Sequence, residues 1–224
     1  MNICENIAQL TEEVNQACRT YKRDPGSIKI IAASKYADAR QIIEASECGI
    51  RYFGENRAED LEEKYSIVGN RVTWHFIGHL QSRKAKAVVL IADLIHSVDS
   101  LKILQKIDME AQRIGKIQKV LLELNLSGEE SKYGISADEA RYFLNKAPDF
   151  NNTAILGFMT MAPLTEDAGI INSVFSGLAK TMAECRSKFP DIKLKELSMG
   201  MSNDYKIAIS LGATMIRIGS LIFL

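Results

Sequence analysis

The chain has 224 residues, enough for one domain of barrel or doubly wound type that buries roughly 70% of the unfolded surface. Its 28 Lys and Arg residues balance its 28 Asp and Glu residues, so no net charge attracts it to nucleic acid or to an acidic membrane surface. No apolar run approaches the ~20 residues of a membrane span, and the first residues lack the basic and apolar regions of a signal peptide, so we expect a soluble cytoplasmic protein.

The predicted elements begin with an amphipathic helix over residues 3–21. Ile7, Leu10, Val14 and Ala17 recur there at helical spacing, before any strand. Short apolar runs then predict eight strands, at 28–35, 52–54, 74–78, 94–98, 120–126, 155–161, 196–199 and 214–218. Between these strands, helical patterns cover 38–48, 57–65, 82–91, 101–114, 137–146, 166–188 and 203–211.

The strict alternation of strands and helices implies parallel strands joined by right-handed crossovers. Eight such units in a chain of this length favour a (β/α)8 TIM barrel over an open doubly wound sheet. No linker, repeat or low-complexity tract divides the sequence. We therefore expect a single domain over residues 1–224, with an extra N-terminal helix.

Lys35 ends the first predicted strand, which is an almost continuous apolar run. A lysine at that point directs its amine toward whatever lies above the sheet, and a desolvated amine is nucleophilic toward carbonyl groups. Schiff-base chemistry is therefore one interpretation. The other is a lysine that simply emerges into solvent at the end of a strand.

The carboxyl ends of barrel strands form one face, where the functional groups of such barrels lie. Glycines next to hydroxyls after the last two strands, with Asn203 at a predicted helix start, are typical of a phosphate site. The residues collected at this face are Lys35, Glu55, Asn56, His79, Ser97, Asn125, Met159, Met161, Gly200, Met201, Ser202, Asn203, Arg217, Gly219 and Ser220.

A reactive lysine and a phosphate site together suggest either a phosphosugar aldolase or a protein that holds pyridoxal 5′-phosphate (PLP). Arg217 precedes Gly219 by two residues and so shares its face of the last strand. An arginine at the pyridine nitrogen would keep that nitrogen unprotonated, because guanidinium only donates. The alternative is a salt bridge from Arg217 to Glu196 or Glu55.

Seven segments resemble the pyridoxal phosphate homeostasis proteins (the YggS/PROSC family), single-domain relatives of the alanine racemase N-terminal barrel. They are IIAASKYADARQI, RYFGENRAEDLEEK, WHFIGHLQSRKAK, LLELNLSGEESKYGIS, LGFMTMAP, LSMGMSNDYKIAI and MIRIGS. The resemblance implies that Lys35 forms an internal aldimine with PLP and that Arg217 faces the pyridine nitrogen. It implies that Ser202, Gly219 and Ser220 hold the phosphate, and that Asn56, His79, Met159 and Met199 line the ring.

The resemblance favours a PLP carrier or buffer in vitamin B6 homeostasis that passes the cofactor to apo PLP enzymes, without catalytic residues of its own. The alternative is a PLP-dependent amino-acid racemase or related enzyme of low activity. Racemisation needs a base on each face of the substrate, and only His79 or Tyr133 could oppose Lys35. With no added domain, we expect a monomer.

The remaining motifs do not indicate a metal site, a disulfide framework or a nucleic-acid site. Cys4, Cys18, Cys48 and Cys185 form no CxxC pair, so we expect reduced thiols rather than a disulfide framework or a zinc site. His75 and His79 would be roughly 13 Å apart along a strand at about 3.3 Å per residue, too far to share a metal ion. The basic cluster Arg83, Lys84 and Lys86 is typical of a solvated helix face, and loop 127–134 is either a lid or a plain turn.

Overall fold

The computed structural model describes residues 2–127 and 133–224, and within them the strands close into a parallel eight-stranded barrel. Neighbouring strands in sequence are neighbours in the barrel, and the last strand pairs with the first. The predicted (β/α)8 fold is therefore confirmed. The strands are β1 Lys29–Ala33, β2 Tyr52–Glu55, β3 Thr73–Phe76, β4 Leu94–Val98, β5 Gln118–Glu123, β6 Thr153–Met159, β7 Glu196–Ser198 and β8 Met215–Ile218.

Helices surround the barrel and cover its outer face. Their apolar stripes pack on the strands in one large core, and no helix of the described residues has the length and apolar character needed to cross a membrane. The helices are α1 Ile3–Thr20, α2 Ala39–Glu47, α3 Ala58–Val68, α4 Ala85–Ile91, α5 Leu101–Arg113, α6 Ala137–Lys146, α7 Ala168–Lys188, α8 Tyr205–Ser210 and α9 Ser220–Phe223.

The first helix, α1, is the predicted extra element. A capping box begins it, since the Glu5 N–H donates to Asn2 Oδ1 at 2.9 Å and the Asn2 N–H donates to Glu5 Oε2 at 3.1 Å. Its buried stripe includes Ile7 and Leu10. Asn6 Nδ2 donates to the Ile222 backbone oxygen at 3.1 Å, so α1 also fixes the last helix, α9.

The interior of the barrel combines apolar and polar side chains. Residues on alternate strand positions point inward, and an apolar layer fills the middle of the barrel, as is usual in this fold. Several inward positions instead carry buried imidazole, hydroxyl and guanidinium groups, which belong to the site described below. The apolar layer consists of Ile31, Leu94, Leu121, Met159 and Met215.

The prediction that all four thiols are free is wrong for two of them. Cys4 in α1 and Cys48 at the end of α2 form a disulfide, with their Cα atoms 5.4 Å apart. These residues are 44 positions apart in the sequence, so only the packing of α1 against α2 brings them together. Cys18 and Cys185 are free and buried, as expected of small apolar side chains.

Candidate functional site

A cavity of about 380 Å³ opens at the carboxyl ends of the strands. This volume lies within the range of small-molecule sites, and the residues that line the cavity come from the ends of β1, β2, β3, β6, β7 and β8. Most of the predicted site residues meet here. Those that line the cavity are Lys35, Asn56, Met161, Met201, Ser202, Asn203, Arg217, Gly219 and Ser220.

Lys35 lies in a turn, and not at the end of β1. The strand stops at Ala33, because a turn closes where the Ala37 N–H donates to the Ser34 oxygen at 2.9 Å. The side chain of Lys35 is therefore exposed at the cavity rim and not desolvated within the sheet. Its Nζ lies 4.6 Å from the centre of the Tyr36 ring, which also lines the cavity.

A buried ion pair anchors the turn that carries Lys35. Glu55, at the end of β2, is fully buried, and its Oε1 accepts hydrogen bonds from Ser34 Oγ at 2.6 Å and from Lys64 Nζ at 2.7 Å. Lys64 of α3 also donates to the Ser34 backbone oxygen at 2.8 Å. Glu55 was predicted to be a site residue, and the structure gives it this supporting position beneath the lysine turn.

Arg217 extends inward from β8 and is almost completely buried. Its Nη1 donates to Ser198 Oγ at 2.7 Å, and its Nη2 donates to the Thr160 backbone oxygen at 3.0 Å. Burial lowers the pKa of Arg217 to about 10, so it stays protonated at neutral pH.

The two alternative salt bridges considered for Arg217 are not formed. Glu196 pairs with Lys29 at 2.6 Å, and Glu55 pairs with Lys64 at 2.7 Å. The remaining N–H groups of the guanidinium can therefore serve the cavity that Arg217 lines.

A sharp turn after β7 presents Ser202 to the cavity. Gly200 has φ +95°, and a Cβ at this position would lie 2.6 Å from the Ala208 Cβ, so a side chain there would be strained and crowded. The Asp204 carboxylate accepts the Met201 N–H, and burial raises the pKa of Asp204. Helix α8 begins only at Tyr205, so the predicted helix start at Asn203 is two residues early.

Three of the nine residues that the resemblance assigns to the cofactor do not line this cavity, and neither do four others of the set collected at the strand ends, Glu55, Ser97, Asn125 and Gly200. His79 lines a separate cavity of about 200 Å³, its Nδ1 lies 3.1 Å from Asp99 Oδ2, and its ring stacks on Tyr133 with centroids 3.9 Å apart. Met159 is buried in the barrel interior, and Met199 is buried in the core between barrel and helices. Their placement around a cofactor ring stays a prediction.

Sequence reasoning missed the hydrogen-bonded partners of Arg217 inside the barrel. Ser198 Oγ lies 2.9 Å from His96 Nδ1, and His96 Nε2 lies 3.0 Å from His75 Nδ1. Glu123, at the end of β5, is also buried, and this burial raises its pKa to about 7. The available signal was the presence of polar residues at inward positions of strands that are otherwise apolar.

Comparison with known proteins identifies the family. The family model described as alanine racemase, N-terminal domain, matches residues 6–224. A pyridoxal phosphate homeostasis protein of Aquifex aeolicus is 34% identical over 224 residues, covering 100% of this chain and 98% of the relative. The chain belongs to the pyridoxal phosphate homeostasis protein family.

Two further proteins resemble the chain over most of its length. The pyridoxal phosphate homeostasis protein of Synechocystis is 38% identical over 201 residues, covering 89% of this chain and 92% of the relative. The structure of PipY from Synechococcus elongatus, solved with PLP bound, has a TM-score of 0.88 and 34% identity and covers 100% of both chains.

Proposed function

We propose that this chain binds PLP in the cavity at the mouth of the barrel and acts in intracellular PLP homeostasis, as a buffer or carrier. The names of its relatives and the PLP-bound structure of PipY support this proposal. The observation that carries it is the convergence of an amine, a guanidinium and a glycine-serine pair on one cavity, through Lys35, Arg217, Gly219 and Ser220.

The residues present fit the chemistry of PLP. A Cβ on residue 219 would lie only 3.1 Å from the Ala33 backbone oxygen, so glycine keeps this wall of the cavity open next to Ser220. The hydroxyls of Ser202 and Ser220 are donors for phosphate oxygens, and the donor-only guanidinium of Arg217 matches the acceptor nitrogen of a pyridine.

When bound, PLP supplies an aldehyde that bonds to amines and a ring that can accept negative charge. The Lys35 amine would hold PLP covalently through this aldehyde, and the exposed position of Lys35 leaves it accessible to amines from outside. Arg217 would keep the ring nitrogen unprotonated, which makes the ring a weaker acceptor of charge. Both properties suit storage and release better than turnover.

The carrier is favoured over the racemase by the position of the two candidate opposing bases. His79 and Tyr133 stack on each other, and neither lines the cavity that contains Lys35. Incubation with amino acids in heavy water tests this choice, because a racemase would exchange the α-proton steadily. Such exchange by the wild type, lost in Lys35→Ala, would favour the enzyme over the carrier.

We further propose a single-domain monomer that works in the cytoplasm and passes PLP to apo PLP enzymes. The continuous core between barrel and helices supports the single domain. Sedimentation at several protein concentrations tests the monomer. Transfer is tested by mixing the loaded protein with an apo PLP enzyme together with a scavenger of free PLP, since direct delivery would restore activity despite the scavenger.

The binding site is tested by absorbance spectra of wild type and Lys35→Ala after addition of PLP, followed by borohydride reduction and peptide mass mapping. We expect a visible band in the wild type and a label on Lys35. Lys102→Ala, which removes an exposed lysine of α5, is the matched control and should keep the band. An unchanged band in Lys35→Ala, or a label spread over surface lysines, would overturn the assignment.

A further inference from the structure

A continuous chain of buried hydrogen bonds crosses the barrel interior from the cavity. Arg217 Nη1 lies 2.7 Å from Ser198 Oγ, Ser198 Oγ lies 2.9 Å from His96 Nδ1, and His96 Nε2 lies 3.0 Å from His75 Nδ1. Each of these four residues is at most 5% exposed. The chain joins β8, β7, β4 and β3, so it spans the barrel rather than following one strand.

Counting hydrogens favours one direction for this chain. Guanidinium only donates, so the Ser198 oxygen accepts from Arg217 and its single hydrogen remains to be placed. If the Ser198 hydroxyl donates this hydrogen to His96 Nδ1, the neutral His96 ring must carry its own proton on Nε2 and donate it to His75 Nδ1. This direction leaves the His75 Nε2–H without an acceptor among the contacts that the described residues make. The opposite direction would have His96 donate to Ser198 and would leave two atoms without partners there, the hydroxyl hydrogen and the unprotonated His75 Nε2.

The surroundings of both imidazoles favour their neutral forms. Burial lowers the pKa of His75 to about 4. Burial is also the main reason why the pKa of His96 is well below its ordinary value. The positive charges of Arg217 and Lys29 act on His96 in the same direction. Around His75, Lys29 and Lys119 also lower the pKa, whereas Asp93 and Glu196 oppose them without overcoming the burial.

We propose that Ser198 and His96 are positioning residues for Arg217, and that His75 completes this set. The donor-only guanidinium holds both imidazoles as the neutral Nε2–H tautomer, and the ordered chain in turn holds the guanidinium against β7. A second bond, from Nη2 to the Thr160 backbone oxygen, prevents rotation about the first. The inference rests on the proposed function only where it concerns PLP, because the hydrogen-bond chain exists without a ligand.

Nitrogen-15 NMR of the histidine side chains, recorded on the full chain without PLP, tests the direction. We expect a protonated Nε2 and an unprotonated Nδ1 for both His96 and His75, unchanged between pH 8 and pH 6. A proton on His96 Nδ1 would reverse the chain and overturn the proposal. Since no ligand is present, this result is independent of whether the protein binds PLP.

Ser198→Ala tests the coupling to Arg217. Loss of one hydrogen bond to a charged donor should speed rotation of the Arg217 Nη groups roughly 10- to 100-fold, mix the His96 tautomers and shift the absorbance maximum of bound PLP. Ser198→Thr keeps the hydroxyl and should restore all three signals. Ser97→Ala is the matched control, since Ser97 is equally buried on β4 and its hydroxyl has no hydrogen-bond partner among the described residues.

The two variants separate positioning from a general structural effect. If Ser198→Ala melts like Ser97→Ala yet alters the Arg217 and His96 signals, the positioning role is supported. If those signals stay at wild-type values, or if Ser97→Ala changes them equally, the role is excluded. Should the NMR signals respond while neither wild type nor Ser198→Ala binds PLP, the proposed function fails and the positioning of Arg217 stands.

Discussion

Replacing Lys64 with Met removes the cation that pairs with the buried Glu55 carboxylate. The side chain of Glu55 is fully buried, and that of Lys64 is only 12% exposed, with 2.7 Å between Nζ and Oε1. Loss of one partner of such a pair leaves an uncompensated charge and costs about 3–5 kcal/mol. At about 2–4 °C per kcal/mol for a chain of this size, Tm should fall by roughly 6–20 °C.

Urea and thermal unfolding followed by circular dichroism measure this loss. Lys119→Met is the matched control, because Lys119 pairs with Asp93 at 3.0 Å while both side chains are about half exposed, and its loss should cost less than about 1 kcal/mol. Adding Glu55→Gln to Lys64→Met removes the stranded charge, keeps an acceptor for Ser34 Oγ and should restore most of the stability. A Lys64→Met variant as stable as Lys119→Met would refute the reasoning.

Three further predictions concern the disulfide, a glycine and a buried acid. Reduction of the Cys4–Cys48 bond, which closes a 44-residue separation, should lower the free energy of unfolding by about 4 kcal/mol. Urea titrations with and without dithiothreitol measure this difference, and Cys4→Ser should abolish it. Gly200→Ala should destabilise the protein by about 1–2 kcal/mol because of the positive φ at this position, and further because the new Cβ would lie 2.6 Å from the Ala208 Cβ. Gly49→Ala should show only the cost of positive φ, because residue 49 has φ +103° and a Cβ there would have no atom within 4 Å. Equal melting temperatures of the two variants would contradict this. Burial raises the pKa of Glu123 from 4.5 to about 7, so between these pH values the folded state holds a proton that the unfolded state releases. At about 1.4 kcal/mol per pKa unit, the free energy of unfolding of the wild type should fall by up to about 3 kcal/mol relative to that of Glu123→Gln as pH rises from 4.5 through 7. A pH-independent difference between the two proteins would show that the carboxyl is not buried in this way.

The sequence predicts the barrel well because each strand and helix carries its own local signal. Residues 94–98 and 137–146 match β4 and α6 at both ends, since turn residues and a capping box bound those apolar patterns. The prediction for 28–35 extends too far at both ends. At the C-terminal end, the turn from Ser34 to Ala37 depends on a local hydrogen bond that an apolar run does not reveal.

The cavity residues at strand ends follow from the parallel topology, but contacts across the barrel do not. Alternation shows that His96 and Ser198 point inward, yet only the stagger of β4 against β7 brings their side chains within 2.9 Å. The same limit applies to Cys4 and Cys48, whose bond depends on how α1 packs against α2. His79 follows β3 as predicted, but its pairing with Asp99 places it in a neighbouring cavity.

The closure of the barrel places the two ends of the described chain side by side, with Ile31 of β1 opposite Arg217 of β8. Lys35 is therefore synthesised before Ser220, but the cavity that the two residues line is complete only after β8 has left the ribosome. If PLP binds as proposed, it can recognise only chains in which β8 has closed on β1. Ligand at a hundredfold excess over its Kd would add about 2.7 kcal/mol to the closed barrel, so the supply of vitamin B6 would also govern how much of the protein survives quality control.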